Sequence, residues 1–288
     1  MPFLDNNDMT TEEKQLALKH DPKLLNADHV PQEVKKDDDK DDGEKEVKKI
    51  EYGILGKIVR FTRKQVDQIK REATNPLDSN SWVSTFEALS AFFHQIVHRS
   101  RQQFYADDIS LLSPPDFLTS INCRGSRLPD LPPMYFPNAL LIPHGTISSE
   151  TLANAPLWEV ASKWHALSKD DRPNSDDIRK LLWWICAQPN KRVIKSGFRF
   201  GSGAFMTSQW SKFDCYETMK LAGNRPLLVS PPFSVGSVAD GLAYFLPSET
   251  QGLGVDTSED VDVRLSLLEP VWDILERNDD YRRIRSIV

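Results

Sequence analysis

Two kinds of chemistry are invited by the residue types in this chain: phosphate binding and proton transfer. Ser84-Thr85-Phe86-Glu87 has the form of a capping box. In a capping box the serine hydroxyl and the glutamate three residues on satisfy each other's backbone amides, and the pattern marks a helix start. Helix starts attract phosphate through their free amides and the helix dipole. The preceding helix, capped by Thr62, carries Arg63, Lys64, Lys70 and Arg71 on one face. Those cations either assist an anion at Ser84 and Thr85 or form an ordinary solvated face. Proton transfer near neutral pH is suited to histidine. Among the six histidines, His144 (in Ile142-Pro143-His144-Gly145) and His165 lie near other motifs. His144 reads as a loop residue and His165 as a packed or surface helix residue, and neither has a neighbour that would fix its tautomer. Gly201-Ser202-Gly203 lacks the Lys-Ser/Thr of a nucleotide loop and reads as a strand bend.

The positioning elements follow from periodicity. Tyr52 to Phe61 reads as a strand, and Val66, Ile69 and Ala73 form the apolar face of the helix that Asn75-Pro76 ends. Leu89, Phe92, Phe93, Ile96 and Val97 turn the next helix towards a core. Helices are expected over Leu157–Leu167, over Asp176–Cys186 with Ser175 as cap, and over Pro270–Glu276. Strands are expected over Arg199–Phe205, Leu227–Val229, Ala243–Leu246 and Val261–Leu267. Trp158, Trp164, Trp183 and Trp184 read as core. The mixture without strict alternation gives an α/β or α+β class built on a mixed sheet.

Composition sets the outer bounds. The chain has 288 residues, 39% apolar, and a net charge of -6. Residues 1–50 contain 9 lysines and 14 acidic residues, leaving the remainder near neutral. No basic stripe marks a nucleic-acid surface. The run from 31 to 49 is charged at 14 of 19 positions, so residues 1–50 read as a charged, largely disordered tail, and order is expected from residue 51. Three scattered cysteines without a C-x-x-C pair argue against a disulfide framework or zinc site and fit a reducing, cytoplasmic setting. No apolar run approaches membrane-span length, and no signal peptide is apparent.

Several motifs fall in an order that resembles the acyl-CoA-dependent BAHD acyltransferases, in wording closest to their fungal branch. Phe61-Thr62-Arg63-Lys64-Gln65-Val66 resembles the strand end and helix after the family's interdomain crossover. Ser84-Thr85-Phe86-Glu87-Ala88-Leu89-Ser90-Ala91 resembles its Ser-Thr-x-x-Ala-Leu-x-Ala helix start. Asn122-Cys123-Arg124-Gly125-Ser126-Arg127-Leu128-Pro129, followed by Tyr135-Phe136-Pro137-Asn138, resembles its arginine-pair segment. Met206-Thr207-Ser208-Gln209-Trp210 resembles its Thr-Ser-Trp segment with one extra residue, and Gly223-Asn224-Arg225-Pro226 the end of its Asp-Phe-Gly-Trp-Gly-Lys-Pro motif. The resemblance covers roughly residues 50–285, with Met1–Val47 in place of the crossover loop.

The resemblance implies a chloramphenicol-acetyltransferase-like α/β fold: a mixed sheet flanked by helices, of which residues 51–288 are the C-terminal half. It implies acyl-CoA as co-substrate with no metal or other cofactor, and a small-molecule alcohol or amine as acceptor. Ser84, Thr85, Arg63, Lys64 and Lys70 become candidates for CoA, and Thr207, Ser208 and Trp210 for the acceptor channel. Strand-end hydroxyls and a core tryptophan are the alternative for the latter three. Arg124 is expected to be a structural ion-pair donor. The family's Asp-Phe of the Asp-Phe-Gly motif falls on Lys220 and Leu221, and Pro137 stands where the family has glycine. No histidine here is followed by aspartate at the fourth position, so the family's His-x-x-x-Asp base is absent and no catalytic residue is assigned. The expected function is acyl transfer in secondary metabolism, completed by a separate N-terminal half or through self-association. The alternative is a non-catalytic remnant that binds CoA or a small molecule. A lone half would leave apolar surface exposed around Tyr135–Leu141 and Met206–Trp210.

Overall fold

A computed structural model describes residues 9–27, 52–125, 128, 131–132, 134–170, 173–232, 238–248 and 260–288. In chain order, the first elements are α1 (Thr11–Leu18), β1 (Leu25–Ala27), β2 (Ile54–Phe61), α2 (Arg63–Ala73) and α3 (Thr85–Phe104). Short strands β3 (Asp116–Thr119), β4 (Ile121–Asn122), β5 (Leu140–Leu141) and β6 (His144–Thr146) follow. Next come α4 (Ser149–Asn154), α5 (Leu157–His165) with a π-turn over Ala166–Asp170, α6 (Ser175–Ala187) and β7 (Ile194–Ser196). The remainder is β8 (Phe205–Gln209), α7 (Cys215–Thr218), β9 (Leu242–Pro247), β10 (Val261–Leu268), α8 (Glu269–Leu275) and α9 (Asp279–Arg285).

Internal contacts divide these elements into two units. The smaller comprises Met1–Tyr52, Arg124–Met134 and Pro173–Gly197. There α1 packs on α6 through Met9, Ala17 and Ala187, and β1 pairs antiparallel with β7. Within the stretch expected to be disordered, Met9–Ala27 therefore holds a helix and a strand. The helix starts on a complete capping box, Thr10 with Glu13, which stabilises a helix of otherwise weak apolar pattern. The charged run 31–49 lies outside the described residues. The α6 cap is Asn174 rather than Ser175, its side chain accepting from the amides of Asp176 and Asp177.

The larger unit holds a six-stranded mixed sheet, order β2-β10-β9-β8-β3-β6. β3, β8 and β9 run parallel, with Thr119 opposite Thr207 and Thr207 opposite Ala243. The other pairings are antiparallel. This is the α/β class expected. β10 alternates, so Val261, Val263, Leu265 and Leu267 face one side with Asp262, Arg264 and Ser266 on the other. All seven are buried. Arg60 reaches across from β2 to Asp262 at 2.8 Å.

α3 is buried along most of its length and packs on α2, α4, α5 and α8. Trp164 of α5 meets Phe117 at 4.6 Å between ring centroids, and His94 of α3 stacks on Phe205 at 5.2 Å. Arg101 closes the far end of α3 with an ion pair to Asp240 at 2.6 Å. Two expected strands differ. Arg199 to Ala204 is a loop because Gly201 and Gly203 lie where a Cβ would meet the Ser113 side chain and the Ser113 carbonyl, so β8 starts only at Phe205. Leu227–Val229 forms no strand, and Leu227 is 85% exposed.

The expected exposure around Met206–Trp210 does not occur at its start. β8 lies between β3 and β9, which buries Met206 and Thr207. In the other stretch expected to be exposed, Tyr135–Leu141, Phe136 and Leu140 are exposed, and elsewhere in this unit Phe200, Phe213, Leu221 and Leu227 are among the exposed apolar residues.

Candidate functional site

Parallel strands in mixed sheets gather ligands beyond their carboxyl ends. β3 and β8 end side by side, and the N-terminus of α3 faces the same point. A cavity of about 340 Å³ lies there, wholly within the larger unit. Thr119 and Ser120 line it from the end of β3, Ile121 from the start of β4, and Gln209 from the end of β8. Ser84, Thr85 and Phe86 line it from the start of α3. Helix geometry leaves the first amides of α3 without intrahelical acceptors. Three cations complete the wall: Lys70 from α2, Lys169 from the π-turn and Lys212 from the loop after β8. Lys169 also stands over the Trp82 ring at 5.9 Å. Three ammonium groups and a helix start in one hollow are a combination suited to an anion.

Glu87 ties this wall together. It is buried at the third position of α3, and its Oε2 accepts the Ser84 amide at 2.7 Å and the His165 Nδ1 at 3.1 Å. Its Oε1 accepts the hydroxyl of Ser168 in the π-turn. Burial alone pushes the Glu87 carboxyl up. Hydrogen bonds from Ser168, the Ser84 backbone, His165 and the Ser84 side chain outweigh that influence and hold it below the usual carboxylate range. The expectation that His165 lacks a partner is therefore corrected. Glu87, 78 residues earlier, fixes its tautomer with the proton on Nδ1. The Trp82 ring meets the imidazole edge-on at 6.0 Å. In the sequence Glu87 shows only as the closing residue of a capping box, because a partner so far away leaves no local signal. His144, expected in a loop, is instead the first residue of strand β6, opposite Leu118 of β3, with its ring 6.2 Å from that of Phe198.

The candidate residues separate. Ser84, Thr85 and Lys70 come together on the cavity wall. Arg63 and Lys64 do not: Arg63 faces Asp67 at 3.5 Å, and Lys64 reaches the Val288 carbonyl at 2.9 Å. Both sit at the first turn of α2, two turns from Lys70. Thr207 is buried and its hydroxyl donates to the Leu118 carbonyl at 3.5 Å. The Ser208 hydroxyl lies 3.5 Å from that of Ser120 and accepts the Trp210 indole N–H at 3.1 Å. Trp210 packs against Tyr244 and Phe213. Thr207, Ser208 and Trp210 thus stand behind the cavity wall. Arg124 lies in the smaller unit, bridged to Leu128. At the departed Asp-Phe-Gly segment the chain makes a tight turn, Ala222 and Gly223 both having positive φ, and Glu217 pairs with Arg225 at 2.7 Å. Among the described residues, no group of three His, Cys, Asp or Glu side chains is placed to hold a metal ion. No helix among them is long and apolar enough to cross a membrane.

A mixed sheet flanked by helices, with a lysine-lined hollow at the ends of its parallel strands, is the chloramphenicol-acetyltransferase-like fold. The chain belongs to the Transferase family of BAHD acyltransferases, whose family model matches residues 5–271. It is 25% identical over 211 residues to shikimate O-hydroxycinnamoyltransferase of Nicotiana tabacum, covering 72% of this chain and 44% of that protein. It is 26% identical over 219 residues to the O-acetyltransferase dmxR13 of Cryptosporiopsis sp. (strain 8999), covering 72% and 41%. The chain thus spans under half the length of the curated relatives it matches. In structure it is similar to TRI101 of F. graminearum, solved with coenzyme A and deoxynivalenol, with a TM-score of 0.65 at 22% identity over 96% of this chain and 60% of that one. TRI101 of F. sporotrichioides, solved with coenzyme A and T-2, gives 0.64 at 23% identity over 81% and 51%.

Proposed function

We propose that this chain is the CoA-binding half of a fungal-type acyl-CoA-dependent O- or N-acyltransferase of secondary metabolism. Residues 51–288 are its C-terminal domain and residues 1–50 occupy the place of the crossover loop. The observation that carries this reading is the cavity where Lys70, Lys169 and Lys212 converge on the start of α3 in a member of the Transferase family. A phosphate of CoA seated there would receive the Thr85 and Phe86 amides and the three ammonium charges. Ser208 and Trp210, joined to the cavity wall through Ser120, support an acceptor contact next to the CoA site. The acceptor class is a small alcohol or amine, in line with the CoA and mycotoxin complexes of TRI101.

The His-x-x-x-Asp base is not among these 288 residues. Glu87 and His165 form a carboxylate–histidine pair, yet His165 is not among the residues lining the cavity, so the pair positions the wall rather than taking the acceptor proton. Loss of a general base typically costs about 10²–10⁴-fold in rate. The chain alone is therefore expected to bind CoA without turning over acyl-CoA above background. Calorimetric titration with CoA, followed by a free-thiol assay with acetyl-CoA and a panel of alcohols and amines, tests both parts. Absence of CoA binding would sink the reading. Turnover within tenfold of an intact relative would sink the claim that a second half is needed.

A further inference from the structure

Thr119 does something that none of its neighbours does. It is the last residue of β3, 1% exposed, and its Oγ1 is buried without a hydrogen-bond partner. The neighbouring hydroxyls of Thr207, Ser120, Ser84 and Ser168 are engaged: Thr207 on the Leu118 carbonyl, Ser120 with Ser208, Ser84 with the Glu87 amide and Ser168 with the Glu87 carboxylate, while Thr85 is only half-buried at the helix start. Other buried side chains also lack partners, among them Ser90 and His94 in the core. Among the described residues, Thr119 is the one of these that lines the cavity of Lys70, Lys169 and Lys212. A buried hydroxyl is ordinarily hydrogen-bonded, and an exception at a cavity wall marks a partner supplied by something that enters. A threonine hydroxyl has one hydrogen to donate, and the hollow is lined by three lysines against one carboxylate, Glu87, which is already engaged by Ser84, His165 and Ser168, so the entering group carries oxygen acceptors and negative charge.

We propose that Thr119 is a ligand-contacting, specificity-determining residue whose hydroxyl donates to an oxygen of a phosphate group held between the three lysines and the start of α3. This rests on the CoA reading above for the identity of the phosphate, but not for the existence of the contact. The charges attract any phosphate. The buried hydroxyl at the strand end sets how deep it must sit, and a ligand too short to reach it leaves it unmade.

Two properties follow that a merely structural threonine would not show together. Thr119→Val removes a group with no partner in the free protein, so the variant should melt at the same temperature as the parent or higher. The same change should weaken phosphate-ligand binding about tenfold or more, as expected for a lost charge-assisted hydrogen bond. Thr119→Ser should restore the affinity.

The test is calorimetric titration of the full chain and both variants with CoA and, separately, with inorganic pyrophosphate, alongside thermal melts. CoA binding that falls in Thr119→Val, returns in Thr119→Ser and leaves the melting temperature undiminished supports the proposal. CoA binding equal in parent and Thr119→Val overturns it and leaves the CoA reading standing. Pyrophosphate binding that depends on Thr119, with no binding of CoA, keeps the contact and overturns the CoA reading. Binding of neither probe to the parent chain overturns both, and a melting temperature lowered by several degrees in Thr119→Val shows a structural hydroxyl instead.

Discussion

Mild acid should unfold this chain through α3. His94 and His98 lie one turn apart on that helix, both buried, with ring nitrogens that have no hydrogen-bond partner. Burial, reinforced by the charge of Arg101 on both and of Arg99 on His98, favours the neutral rings. It lowers His98 from 6.5 to about 4 and His94 well below its usual value. A base whose folded value is depressed stays neutral in the native state while the unfolded chain takes up the proton. The unfolded state therefore binds more protons below about pH 6.5, and stability falls as pH falls through that window. At pH 5, about 1.5 units below the unfolded value of 6.5, His98 alone costs about 2 kcal/mol, and His94 adds to the loss in the same direction. That is a sizeable part of a typical net stability of roughly 5–15 kcal/mol. Carboxylates add little in this window, because Glu87 and Asp116 are held below their usual values and lose their contributions only at lower pH. Urea unfolding at pH 7 and pH 5 measures the drop directly. His94→Phe, which keeps a flat ring on Phe205, combined with His98→Leu should abolish most of it. A parent drop under about 1 kcal/mol, or an equal drop in the double variant, would refute the reasoning.

Glu87→Ala should lower stability by about 2–4 kcal/mol, since it removes the shared acceptor of Ser84, His165 and Ser168 from a buried position; thermal unfolding checks this. Asp240→Ala leaves the buried Arg101 guanidinium without its carboxylate and should cost about 3–5 kcal/mol by denaturant titration. Gly203→Ala should fail to fold or fold with β8 displaced, because its Cβ would lie 2.0 Å from the Ser113 carbonyl; hydrogen exchange at Phe205–Gln209 reads the displacement. Lys64→Ala, whose side chain is engaged at Val288 away from the cavity, should leave CoA affinity unchanged, whereas Lys70→Ala should weaken it several-fold by titration.

Local signals carried the parts of the fold that are locally determined. The capping boxes at Thr62 and Ser84 mark the starts of α2 and α3, because each is closed by a residue three positions on. The alternation of Val261 to Leu267 places β10. The same logic was available at Thr10-x-x-Glu13 and at Asn278, yet the surrounding charge at the first and the short apolar pattern at the second concealed α1 and α9. Leu227–Val229 looked like a strand because β-propensity ignores whether a partner edge is nearby. For the site, Ser84, Thr85 and Lys70 were legible as a helix start with a cation one helix away. Arg63 and Lys64 read as part of the same charged helix face as Lys70, although in the first turn of α2 they meet Asp67 and the Val288 carbonyl instead. Glu87, Ser168 and His165, and the orphan hydroxyl of Thr119, are products of strand order and helix packing that no spacing in the sequence encodes.

Among the described residues β2 lies at one edge of the larger sheet, and its strand partner there is β10, some 200 residues later. At about 5–20 residues per second, that separation corresponds to on the order of 10–40 s of synthesis. During that interval Ile54, Leu55, Ile58 and Phe61 are on a ribosome-bound chain with no strand to close them, while β3, β6 and α3 are already available to collapse. The edge that completes the sheet is thus the last to be protected, although it is made first. Slowing translation before β10 should lengthen the time over which β2 is accessible to chaperones or to the β2 of a neighbouring nascent chain, and the yield of folded protein should depend on how quickly the final strand arrives.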